Sequence, residues 1–238
     1  YGSGHAHRRS AERPLSEDQA GGTPPPRVTF DPHCTRCPRL AAFLQEQRSQ
    51  HPQYHNAPVP AFGDSAPRLL IVGLAPGRHG ANASGRPFTG DFAGVLLYRT
   101  LFELGLSTQP ESTSVDDDLE LLGCRITNAV KCLPPQNKPT TLEVRTCNAY
   151  LKEELAQLPE DAVVFALGGI AHGAVLRTLG LKLSGYRFGH GAVHQLPGAR
   201  SLVDSYHCSR YNTQTGRLTP AMFAEALARA RDLAAQPE

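Results

Sequence analysis

The stretch GLAPGRHGANASGRPFTGD, residues 73–91, decides how this chain is read. It stands directly behind the apolar run RLLIV, residues 68–72. Five glycines and two prolines in nineteen positions are more than a packing loop requires. A backbone that must approach a ligand closely does require them. The run before them is continuous and apolar, as strands of parallel sheets tend to be. Together they predict a buried strand whose carboxyl end opens into a ligand-binding loop.

Working outward, the same alternation recurs. Upstream, the sequence predicts a short amphipathic helix over Pro38–Gln50, with Leu40, Ala41, Phe43 and Leu44 turned inward. Downstream it predicts a helix carrying Val95, Leu96, Tyr98, Leu101, Phe102 and Leu104, then a strand over Cys124–Val130. A loop, KCLPPQNKP, leads to a helix with a capping-box signature, Thr140 followed three residues on by Glu143. Strands follow at Ala162–Leu167, Ala192–Leu196 and Ser201–Tyr206, with the helix IAHGAVLRTLG after the first of them. The last helix opens with Thr219 as N-cap and Pro220 at its first position. Strands alternating with helices argue for a doubly wound α/β sheet, whose ligands bind off the carboxyl ends of the strands. The loops at 73–91, 131–139 and 207–217 each follow a strand and are expected to line one crevice.

With 238 residues, 40% hydrophobic and 19% charged, the chain has room for a proper core. Residues 1–30 lack periodicity and are expected to form a mobile tail, with one domain over 31–238. No apolar run approaches the ~20 residues of a membrane span, and no signal-peptide pattern is present. The expectation is a cytoplasmic protein, and nothing demands more than a monomer. A net charge of +2 does not by itself indicate a nucleic-acid partner. Its distribution is more telling: Arg78, His79, Arg86, Lys131, Lys138, Arg210 and Arg217 all fall in loop-like stretches. They are either solvated singly or, if the loops meet, a cationic patch for phosphates.

Of the six cysteines, Cys34 and Cys37 form a C-x-x-C, Cys132 opens the middle loop and Cys147 lies on the capped helix. Four thiolates fit a structural zinc or an iron–sulfur cluster, with ordinary buried thiols as the alternative. Cys124, on a strand, reads as a core residue.

The glycine-rich loop is neither a P-loop nor a dinucleotide fingerprint: no Lys-Ser/Thr follows, and Leu74 and Ala75 interrupt the glycine spacing. What it offers is a flexible backbone, one aromatic ring at Phe88 and one carboxylate at Asp91. The middle loop region adds Asn128 and Asn137, whose amides match the edge of a base. The third adds His207, Ser209, Arg210, Asn212 and Arg217. Imidazole holds a developing oxyanion and Phe stacks on a flat ring. Such parts suit a pocket for an extruded nucleobase. Singly each has a plainer role: Phe88 as core, Asn128 tying a turn, Asp91 capping the next helix.

GLAPGRHGANASGRPFTGD, the TNAVKC–PPQNKP region and YHCSRYNTQTGRLTPAM together resemble the three motif regions of type B, or family 5, uracil-DNA glycosylases. The resemblance runs from about Cys34 to Leu233. It implies a uracil-DNA-glycosylase-like three-layer α/β sandwich around a mainly parallel central sheet. It further implies a four-iron, four-sulfur cluster on Cys34, Cys37, Cys132 and Cys147. Gly73, Leu74, Ala75, Gly77, Phe88 and Asn128 would line the base pocket, with Asn137 in its wall and His207 beside the base carbonyl. Family members remove uracil, and also hypoxanthine and ethenocytosine, from DNA.

On that footing Asp91 is the candidate for positioning water, His207 for stabilising the departing base and Asn137 for the catalytic wall. Arg78, Arg86, Lys138, Arg210, Asn212 and Arg217 are the candidate DNA contacts. Two departures stand out. Other glycosylase families carry an acid beside the first glycine, where Leu74 and Ala75 stand here, a feature that family 5 shares. Many glycosylases have Pro after the motif histidine, where Cys208 stands here. The missing acid also motivates a rival, a non-catalytic binder of damaged or single-stranded DNA. A metal-stapled nucleotide-binding enzyme of other chemistry is a third reading.

Overall fold

The computed structural model of the chain describes residues 1–2, 28–198 and 200–235. Most of the expected tail, residues 3–27, lies outside them. Among the described residues six strands form one sheet: β1 (Phe62–Gly63), β2 (Leu69–Gly73), β3 (Cys124–Asn128), β4 (Val163–Leu167), β5 (Val193–Gln195) and β6 (Ser201–Ser205), in the order β1-β3-β2-β4-β6-β5. The four central strands are parallel, and the short β1 and β5 run antiparallel at the two edges.

β2 and β4 are buried along their whole length, because successive side chains feed opposite layers. Leu70, Val72, Val164 and Ala166 pack into one apolar cluster with Leu40 and Leu44 of helix α1 (Pro38–Gln50), Val144 and Leu151 of α4 (Thr141–Ala156), and Val175 of α5 (Gly169–Thr178). Leu69, Ile71, Val163 and Phe165 pack into the other, with Leu97 and Leu101 of α3 (Phe92–Glu103) and Phe223 and Leu227 of α7 (Pro220–Ala235). Two helical layers therefore sandwich the sheet, as the resemblance implies.

The cap signals also hold. Thr140 accepts from the Glu143 N–H while the Glu143 carboxylate accepts from the Thr140 N–H, the reciprocal box that starts α4. The Thr219 hydroxyl accepts from the Met222 N–H at the start of α7. On α3 the inward face differs from the one the apolar residues suggest. Leu97, Tyr98 and Leu101 are buried, while Val95 and Phe102 are exposed.

Two stretches read as loops contain helical turns. Ala81–Ser84 forms α2 inside the glycine-rich loop, and Arg210–Gln214 forms α6, opened by the Ser209 hydroxyl accepting from Asn212 N–H. Both are too short for a hydrophobic period to declare itself.

Candidate active site

The carboxyl ends of β2, β3, β4 and β6 lie side by side, so the segments that follow them open on one side of the sheet. There they enclose a cavity of about 640 Å³. Leu74, Ala75, Gly77, Arg78, Phe88 and Asp91 line it from the first loop, Asn128 and Asn137 from the second, and His207 and Arg210 from the third. The sequence reading missed a fourth wall, Leu167–Ile170 at the end of β4. Its signal was the Gly168–Gly169 pair at a strand end. Ser209 of the third loop lines the cavity too, as does Phe92, which was not singled out.

The first loop is held rigidly. Ladder bonds continue past the strands, from Ala129 N–H to Gly73 O at 2.9 Å and from Val130 N–H to Leu74 O at 3.0 Å. The buried Tyr98 hydroxyl donates to Pro87 O at 2.8 Å, which fixes the turn before Phe88. Phe88 has φ +56°, a left-handed conformation uncommon for a ring-bearing residue. Its ring is buried and stands 5.9 Å from the His207 ring, tilted 30°. Gly73 is the residue that allows this. A Cβ there would come within 2.4 Å of Asn128 Oδ1 and 2.7 Å of the Phe88 ring.

Asp91 does two things. Its Oδ1 accepts from Gly94 N–H at 2.8 Å, which caps α3. Its Oδ2 faces Gly77 and Gly80; a Cβ on Gly80 would fall 2.6 Å from it. Burial pushes this carboxyl above its usual range, against the lowering effect of the backbone N–H groups of Gly94 and Ala93.

His207 faces the cavity with part of its ring, but its Nδ1 is enclosed and has no protein partner. Burial lowers its pKa to about 4, so the imidazole is neutral at physiological pH. Asn128 Oδ1 is likewise enclosed and unpartnered. Such orphans cost about 1–3 kcal/mol each unless a ligand satisfies them. Both belong to residues that line the cavity.

The structure does not place every expected contact at the cavity. Arg86 is buried, with its guanidinium donating to Asp117 Oδ1 at 2.5 Å, Val115 O at 2.6 Å and Ser112 Oγ at 3.1 Å, and lying over the Phe62 ring. It is an internal anchor, which corrects its reading as a DNA contact. Lys131 is also buried, paired with Glu154 Oε1 at 2.7 Å and with the Thr127 hydroxyl, and offers no charge to a phosphate patch. Asn212 does not line the cavity. Its amide donates to His207 O at 2.8 Å and so supports the histidine from behind. Arg217 is exposed, lies over the Tyr206 ring and is not among the residues that line the cavity. Lys138 is exposed, one residue beyond Asn137, and its carbonyl accepts from Arg39 at 3.1 Å. Asn137 and Gln136 both take φ +55° at the cavity rim.

A second hollow lies between the start of α1 and the β3–α4 loop. Cys34, Cys37, Cys132 and Cys147 all line it, and none of them is in a disulfide. Burial raises the Cys132 thiol to about 12, and the neighbouring Cys147, Cys34 and Cys37 add to the rise. Burial likewise raises Cys147 to about 11. Four soft donors that repel one another as thiolates fit a cationic metal group. Another group of ligand-type side chains, His172, His194 and Asp204, gathers within 4.8 Å. Asp204 accepts from His172 at 2.8 Å, from His194 at 3.0 Å and from Gly189 N–H at 3.3 Å. These bonds tie β5, β6 and α5 together.

Comparison with known proteins places the chain in a family. Residues 60–231 match the family model described as uracil DNA glycosylase superfamily. The chain is 51% identical over 206 residues to a type-5 uracil-DNA glycosylase of Thermus thermophilus, covering 84% of this chain and 94% of that protein. It is 45% identical over 202 residues to a type-5 uracil-DNA glycosylase of Pyrobaculum aerophilum, covering 83% and 88%. Among solved structures, Pedobacter heparinus SMUG2 aligns with a TM-score of 0.45 at 15% identity, over 71% of this chain and 76% of that one. The matched span and the identity to the type-5 relatives show one thing: the chain belongs to the uracil DNA glycosylase superfamily.

Proposed function

We propose that the chain is a uracil-DNA glycosylase that hydrolyses the N-glycosidic bond of a base swung out of DNA and leaves an abasic site. The observation that carries this is the convergence of Phe88, Asp91, Asn128, Asn137 and His207 on one cavity. The nucleotide rotates into the cavity at a cost of a few kcal/mol, least where the base is mismatched. Phe88 lies against its ring, and the enclosed Asn128 Oδ1 is an acceptor for a base N–H. A volume of about 640 Å³ also admits two-ring bases, so hypoxanthine and ethenocytosine belong to the proposed substrates.

As the bond breaks, the base leaves as an anion and the sugar becomes oxocarbenium-like. A neutral His207 presents an N–H to the developing base oxyanion; one such donor is typically worth about 3–4 kcal/mol. Neutrality is what the burial of this ring supports. Asp91 is held by its cap bond through Oδ1, leaving Oδ2 to accept a proton from water and to offset the sugar's positive charge. It stands in for the acid absent at Leu74 and Ala75. Arg78 and Arg210, exposed at the cavity, and Lys138 beside Asn137 are the proposed phosphate contacts.

Cys34, Cys37, Cys132 and Cys147 would hold a four-iron, four-sulfur cluster, whose contribution is structural: it ties the start of α1 to the β3–α4 loop and to α4. The soft four-thiol donor set around one hollow supports it.

Single-turnover release of uracil from a defined oligonucleotide, followed as alkali-labile abasic sites, tests the reading. Binding of the same DNA without any release would establish the non-catalytic alternative instead.

A further inference from the structure

The mouth of the cavity carries a cluster of rings that the proposed reaction does not use. His79 lines the cavity and is exposed. The Tyr54 hydroxyl lies 3.0 Å from its Nδ1. His51 stacks on Tyr54 with centroids 4.8 Å apart and 13° between planes, and meets His79 edge-on at 5.8 Å.

This cluster stands on a rigid base. Buried Asn82 donates to buried Asn56 Oδ1 at 2.8 Å, and Asn56 donates to His51 O at 2.7 Å. His55 N–H and Asn56 N–H donate to Ala83 O and Asn82 O at 3.0 and 3.1 Å. The turn that bears His51 and Tyr54 is thus bolted to the glycine-rich loop that bears His79.

The hydrogen bond between the Tyr54 hydroxyl and His79 Nδ1 can run in either direction, according to the tautomer of the imidazole. When the phenol O–H donates to Nδ1, the imidazole proton sits on Nε2. Nε2 makes no hydrogen bond among the described residues. In that arrangement it is a donor at the rim, next in sequence to exposed Arg78. The groups suited to a base, Phe88 and Asn128, are buried deeper in the same cavity. What an extruded nucleotide brings to the rim is its flanking backbone phosphate, an acceptor.

Resting on the glycosylase reading, we propose that His79 binds a DNA backbone phosphate flanking the swung-out nucleotide through its Nε2 N–H. Tyr54 is the positioning residue that sets the tautomer making Nε2 the donor. His51, stacked behind Tyr54, holds the phenol in place.

The test uses the full chain and its His79→Ala, His79→Gln and Tyr54→Phe variants, each checked for an unchanged melting temperature. The probe is a duplex holding a tetrahydrofuran abasic analogue, which cannot be cleaved, with binding read by fluorescence anisotropy. Single-turnover uracil release at saturating enzyme is measured in parallel. His79→Ala should weaken binding about tenfold, as loss of a hydrogen bond to a charged group does. Its saturated rate should stay within about twofold of the parent, because the contact is to phosphate and not to the reacting atoms. His79→Gln, which keeps an N–H donor, should recover most of the affinity, and Tyr54→Phe should fall between. The loss should be equal for duplexes of different sequence.

Parental affinity in His79→Ala overturns the proposal. So does a His79→Gln variant as weak as His79→Ala, or a fall in saturated rate at unchanged affinity, which would put His79 on the base or sugar. Failure of the glycosylase reading shows separately, as a parent protein that releases no uracil, since binding to the tetrahydrofuran duplex does not depend on turnover.

Discussion

Phe88 and His207, 119 positions apart in the chain, face each other with ring centroids 5.9 Å apart and planes 30° from parallel. One belongs to the loop after β2 and the other follows β6, two strands separated in the sheet only by β4. Because His207 is pressed into this apolar setting it stays neutral, which has a consequence for stability. Its pKa is about 4 in the folded chain, against an ordinary value of 6.5. Between those values the unfolded chain binds the proton and the folded chain does not. Stability therefore rises with pH across this window and falls by up to about 3 kcal/mol as pH drops from 7 to below 4. His207→Gln, which does not titrate, should lack that part of the acid sensitivity in urea unfolding at pH 7, 5 and 4. Its uracil release should be slower by about 10²–10³ at every pH, as expected for a lost oxyanion donor. An unchanged rate would remove His207 from the chemistry.

Asp91 caps α3 and is the proposed water-handling carboxylate, and the two roles separate by substitution. Asn caps a helix about as well as Asp, so Asp91→Asn should keep its melting temperature, whereas Asp91→Ala should lose about 1 kcal/mol. Both should lose about 10²–10⁴ in single-turnover rate if the carboxylate handles water. In the parent, the raised pKa of Asp91 means that activity falls on acidification as the carboxylate is protonated, and does so at a higher pH than for a solvated aspartate. Rapid cleavage by a well-folded Asp91→Asn variant would assign the residue to capping alone.

Gly94 sits in the first turn of α3, where a Cβ would fall 1.8 Å from the Phe88 carbonyl oxygen. That contact is with backbone and has no flexible end to give way. Gly94→Ala should therefore displace the left-handed Phe88 and lower stability by about 1–3 kcal/mol, as overpacking does. Uracil release should slow with it. Chemical denaturation together with the rate would show the two losses arising from one methyl group.

Arg86 separates fold from DNA contact. Its partner Asp117 is nearly buried, and its carboxyl is held at about 2: burial raises it, but the Arg86 hydrogen bond and the N–H groups of Thr113, Ser114 and Leu119 outweigh that. Arg86→Ala should cost about 3–5 kcal/mol, the usual result of stranding one member of a buried pair. DNA affinity per folded molecule should hardly change, in contrast to Arg210→Ala. A large loss of affinity in a stable Arg86→Ala variant would restore its reading as a phosphate contact.

The four-cysteine hollow makes a compositional prediction. Protein prepared without oxygen should contain iron and acid-labile sulfide with visible charge-transfer absorption, and Cys132→Ser or Cys147→Ser should lose both together with several °C of melting temperature. Stoichiometric zinc in place of iron would overturn the cluster assignment and keep the staple.

The chain's architecture was legible because its signals are local. An unbroken apolar run at 69–72, a capping box at Thr140 and Glu143, and Thr219-Pro220 each report a nearby hydrogen-bond or burial requirement, and each element formed where they placed it. Strand-ending loops rich in glycine and asparagine marked the site's approximate parts, since parallel topology leaves those loops on one side of the sheet. Which side chains face the cavity was settled only by folding. Nothing in the residues around Arg86 announces Asp117, or around Lys131 announces Glu154, because an ion pair depends on partners brought together from distant segments. Asn212 reads as a polar loop residue until α6 turns its amide onto the His207 carbonyl. Sequence determined which groups capable of this chemistry the chain carries. The tertiary structure decided which of them are spent on holding one another and which are left facing the cavity, since a buried charge or amide is held by whichever partner packing delivers.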